Sequence, residues 1–234
     1  MLNGPEIFIS KIASAQRQLD AAIRMVFHEE DEPAIYTVAA AAHRVLRDLM
    51  EKRGRSAGAE AMRDGIRGIA NALVQGTLPD SHRELFEREN FWPAVLALAE
   101  SIRDGRGDAL VTSNPQSFDR MFWDRQNKVS NFLKHADRDS ANTIAQEQIH
   151  VEQVLASALM TYGQLMGKLT IEMQVYGAFI ALENDYGPRL PEYLVTMCTG
   201  LRNLPRARRP KAYLQMIASL KKADRTGHAT PRWS

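Results

Sequence analysis

His135 stands with Asn131 four residues before it and Arg138 three after it, and Lys128 lies one further turn upstream. On an α-helix this spacing gathers all four, with Asp124, inside an arc of about 80°. A histidine can move a proton near neutral pH, a cation can hold charge on a phosphate, and an amide can orient the scissile group. Those types in that order suit phosphodiester chemistry. His135 is then the proton shuttle, Lys128 and Arg138 the phosphate contacts, and Asn131 the orienting amide. No metal or cofactor is expected.

The element that must position them runs from Phe118 to Asp139 and has the period of one amphipathic helix. Phe118, Met121, Phe122, Val129, Phe132, Leu133 and Ala136 fill the neighbouring arc, so the polar strip borders a core face. A second account of the strip is purely structural. Asp124–Lys128 and His135 with Arg138 or Asp139 are then helix-surface pairs contributing about a few tenths of a kcal/mol each. Arg125 falls in the middle of the apolar arc and requires a buried acid, an interface partner or a later helix start.

Around this strip the pattern is helical. Ser10 N-caps a first helix to about His28, with Ile12, Leu19, Ile23 and Val26 as its stripe. A second helix starts at Pro33, carries four consecutive alanines (Ala39 to Ala42) that allow close helix approach, and stops at Gly54. Tyr36 and His43 sit at the edge of its apolar face. Residues 59–75 form a helix diluted by Gly65 and Gly68, and helices follow from Ser81 and from Phe91 to Arg103. The polar stretch 105–116 is a loop in which Asn114 and Pro115 cap the strip-bearing helix. Ser140 or Asn142 then opens a long helix to Met166, and further helices span 169–184, 191–203 and 209–223. Met160, Met166 and Met173 read as core filler.

The expected fold is therefore all-α: a bundle of about seven to nine helices over residues 1–187, with a basic helical extension over 188–234. The acidic bend HEEDEP (His28 to Pro33), the alanine-rich second helix and Asn131-Phe132-Leu133-Lys134-His135 together resemble HEPN-type helical domains over residues 10–165. Their signature is Arg-x(4–6)-His, often with asparagine four before the histidine. The arginine position falls between Lys128 and Ser130 here, and only Lys128 is cationic; lysine lacks arginine's planar fork. The resemblance implies a homodimer with its site at the interface, and metal-independent RNA cleavage through the ribose 2′-hydroxyl in a bacterial stress or defence setting. Non-catalytic members of the family bind without cleaving.

The net charge of +2 conceals a divided chain. Between Arg202 and Arg232 nine Lys or Arg residues face one acid, Asp224, which makes that end +8 and the rest −6. Arg206, Arg208, Arg209 and Lys211 head this segment as the expected contacts to RNA or to an acidic protein partner. The non-enzymatic alternative is an interaction module, homodimeric through the strip-bearing helix, that recruits a partner with its basic end. Cys198 is the sole cysteine, so no intramolecular disulfide forms and a reducing cytoplasm is expected. No leader is expected from MLNGPEIFIS, and no apolar run reaches the roughly 18 residues of a membrane span. Glu147 and His150 have the Glu-x-x-His spacing of di-metal bundles, but in a single copy.

Overall fold

Ser10 performs the expected cap: its Oγ accepts from the Ala13 N–H at 3.2 Å and opens α1, Lys11–Phe27. In this computed structural model residues 8–55, 59–88, 91–106, 127–134, 141–183, 196, 198–201 and 203–226 are described. The fold is all-α, with no strand among the described residues. No helix of theirs is long and apolar enough to cross a membrane. The expected boundary at 187/188, the loop at 107–116 and Arg125 lie outside the described residues.

Two compact units emerge from the chain. One joins Met1–Arg55 to Val129–Ser234, and the other is Ser56–Lys128. In the first, α2 (Glu32–Glu51) carries proline in its first turn and ends in a turn at Gly54, whose φ is +72°. Its alanines do what small side chains allow. Ala39 and Ala42 are fully buried, and α2 makes its most extensive contacts with α1 and with α7 (Val151–Met166). α7 closes at Gly167 in the left-handed conformation, where the glycine N–H donates to the Gly163 carbonyl at 2.7 Å. There the Arg53 guanidinium, just past the end of α2, donates to the Leu165 carbonyl at 3.1 Å.

α8 (Ile171–Glu183) and α9 (Arg209–Arg225) complete this unit. Phe27 of α1 stacks on Tyr213 of α9 at 5.0 Å between centroids, and Phe179 of α8 meets both rings edge-on at 5.4 and 5.2 Å. Such aromatic pairs add about 0.5–1.5 kcal/mol each beyond their buried area.

Two expectations need correction here. The long helix from Ser140 or Asn142 does not form: residues 141–145 are not helical and Gln146–Gln148 is a 3-10 turn. Ile144 and Ile149 explain this, since five residues separate them by about 140° on an α-helix. They cannot both face one core, and the chain breaks so that Ile149 is buried. Met160 and Met166 are exposed by 48% and 39%, and only Met173 is core. On α7 Met160 points about 180° from the buried Leu155, Leu159, Tyr162 and Val154 arc as a group, so helical spacing alone misplaced it.

The second unit contains α3 (Ala59–Val74), α4 (Asp80–Arg88) and α5 (Trp92–Arg103). Ile66 and Ala70 of α3 meet Val95, Leu98 and Ala99 of α5, with Phe91 beside them. Arg83 lies over the Trp92 ring at 5.4 Å and pairs with Glu87 at 2.9 Å. Gly65 and Gly68 are exposed on α3, and a Cβ on either would meet nothing within 4 Å. Gly68→Ala should therefore stabilise this unit by about 0.5–1 kcal/mol, because the helix loses only the glycine's backbone entropy penalty. Urea unfolding followed by circular dichroism reads this; a lower midpoint would contradict the placement of Gly68.

Candidate functional site

Half of the expected catalytic strip is within the described residues. Lys128 and Asn131 are exposed on α6 (residues 127–134), while His135 and Arg138 lie outside the described residues, as does Asp124. Val129 is buried and Leu133 half-buried, so the core face of α6 centres on that pair. Phe132, expected on that face, is 36% exposed. It lies about 80° around the helix from the Val129–Leu133 direction, at the rim rather than in the core. Lys134 adds a cation that sequence reading left unused. Partial burial and then Arg44 of α2 push its ammonium pKa down, which brings a second helix's arginine into electrostatic reach of α6.

His43 and Tyr36 are not edge residues: both are buried, at 4% and 3% exposure. Burial, and then Arg47, push the His43 imidazole down to about 4, so it is neutral across the physiological range. Glu147 and His150 do not share a helical face, since Glu147 lies in the 3-10 turn and His150 is the residue before α7.

Within the basic end, residues 203–226 are described. Arg206 and Arg208 are exposed on a 3-10 turn, and Lys211 is exposed in the first turn of α9. Arg209 departs from the expectation. It is half-buried, and its Nε donates to the Leu204 carbonyl at 3.0 Å, so it braces the turn that starts α9. Along α9, Lys211, Lys222 and Arg225 fall within an arc of about 60°, roughly opposite the buried Tyr213, Met216 and Ile217. Charge and core thus occupy opposite faces of one helix.

Sequence reading missed a buried polar cluster among the described residues of the first unit. Glu172, in the first turn of α8, is 1% exposed and accepts from Arg24 of α1 at 2.8 Å and from Lys221 of α9. Two residues earlier Thr170 caps α8: its Oγ1 accepts from the Met173 N–H at 3.3 Å and donates to Asp20 Oδ1 of α1 at 2.6 Å. Asp20 is itself 9% exposed. Burial pushes its carboxyl up to about 6 and Glu172 adds to the rise; the Thr170 hydrogen bond, Lys221 and Arg24 oppose it. Tyr162 of α7 closes the group by donating to Gln16 Oε1 at 2.9 Å. One signal was present in the sequence: Glu172 is the sole charge between Lys168 and Glu183, in a run too apolar to be a surface helix.

Chemically this cluster orients three helices; two carboxylates and two cations cancel when all are ionised. Comparison with protein-family models, curated proteins and solved structures found no match to this chain.

Glu172→Ala removes the shared acceptor of two cations. Arg24 and Lys221 are about two-fifths exposed and can turn to water, so the loss falls below that of a fully buried pair. A destabilisation of about 2 kcal/mol is expected in urea unfolding. A change below about 0.5 kcal/mol would mean that the cluster does not hold the unit together.

Proposed function

We propose that the protein binds RNA through the basic face of α9 and the turn before it. The observation that carries this reading is the segregation of charge. Arg206, Arg208, Lys211, Lys222 and Arg225 are exposed, whereas Lys221 is paired with the buried Glu172 on the bundle side. From Lys211 to Arg225 the stripe extends about 21 Å, at 1.5 Å per residue. A row of that length can track several successive phosphates, and contact with the backbone carries affinity without reading sequence.

The exposed Lys128 and Asn131 on α6 are the described members of the strip that carries the HEPN resemblance. Strand cleavage at His135 is a separate activity that this reading does not require.

Fluorescence anisotropy of a labelled single-stranded RNA tests the proposal. Five phosphate contacts at a slope of about −0.7 each should give log Kd against log salt a slope of about 3 to 4. Reversing Arg206, Arg208 and Lys211 to glutamate should weaken binding at least tenfold and cut that slope to about half or less. Binding that ignores salt, or survives the triple reversal, would contradict it.

A further inference from the structure

α1, the first turn of α8 and α9 meet around two carboxylates, Asp20 and Glu172, with two cations, Arg24 and Lys221. Thr170 and Glu172 are two residues apart on the same turn. A movement that lifts the Thr170 hydroxyl from Asp20 therefore also draws the Glu172 carboxylate from Lys221. We propose that this junction is an acid-tightened clamp: ionisation of Asp20 favours its opening, and opening releases α9 from its ion pair with the bundle.

The charged groups acting on Asp20 come from each element around it: Arg24 on α1, Glu172 on α8 and Lys221 on α9. The Tyr162 hydroxyl on α7 is close enough for Asp20 to help raise its own pKa, after burial. In the closed junction Asp20 titrates at about 6, and in water near 3.8. The closed state thus binds more protons between those values. Its extra stability is fully present below about pH 4 and is lost as pH rises through about 6. Most paired carboxylates in proteins behave the other way, because their folded pKa is depressed. The opposite sign arises because Asp20 loses more by desolvation than two half-exposed cations return.

The clamp does not rest on the reading of α9 as an RNA-binding face. Native-state hydrogen exchange on the full chain tests it through two amides. Met173 N–H donates to Thr170 Oγ1, and Gln174 N–H donates to the Thr170 carbonyl at 2.9 Å. After correction for intrinsic exchange, their opening constant should rise about tenfold between pH 5 and pH 7.5 in the wild type. Asp20→Asn keeps an acceptor for Thr170 and should make it independent of pH. Glu172→Gln removes the charge that helps raise Asp20 and should shift the step to lower pH. A flat wild-type profile, or an unchanged step in Asp20→Asn, would overturn the clamp. RNA anisotropy in the same samples separates the two ideas: no RNA capture at either pH, with the exchange step intact, would overturn the reading of α9 and support the clamp.

Discussion

A carboxylate that is 1% exposed needs cations, and the first unit is arranged to supply them to Glu172. Neither Arg24 nor Lys221 lies on the helix that carries the acid. Satisfying Glu172 therefore requires α1 and α9 to arrive at the first turn of α8 together. The position is well chosen for an anion, because the exposed N–H groups of a helix's first turn carry partial positive charge. Removing water from ion pairs is expensive, so this cluster contributes modest net stability but a strict geometry. The Phe27, Phe179 and Tyr213 cluster joins the same three helices and is indifferent to small rotations by comparison. Apolar packing holds the helices together; the charges fix their rotation.

That rotation gives α9 its two characters. Tyr213, Met216 and Ile217 point inward, Lys221 reaches sideways to Glu172, and Lys211, Lys222 and Arg225 are left on the outer side. Turning the helix by a quarter would place cations against aromatic rings and break the Glu172 contact. The basic end of the chain is thus an organised surface from residue 206 to 225 rather than a solvated tail. The proton on Asp20 ties its anchorage to pH.

Much of the fold was legible because local signals suffice for helices. The Ser10 cap, the proline start and glycine stop of α2, and its buried alanines all follow from short-range rules, and each is found where those rules place it. The errors have a common origin in tertiary contact. Helical spacing cannot say which side of Met160 faces a neighbour, and it continued a helix through 141–150 where burial of Ile149 requires a break. The Glu172 cluster was illegible for the same reason. Its members Arg24 and Glu172 are 148 residues apart, and nothing near either names the other. The strip expected around His135 is a pattern within one short stretch of sequence, while the acids that organise the unit act on groups far away in the chain.

The most direct test of this account is a double-mutant cycle between Glu172→Gln and Lys221→Met, measured by urea unfolding near pH 7.5. If the buried carboxylate is what fixes α9, the two changes should be coupled by about 1 kcal/mol or more, and the double variant should lose little beyond either single change. Additivity within about 0.5 kcal/mol would show that α9 is held by its apolar face alone, and would contradict the central place given to Glu172.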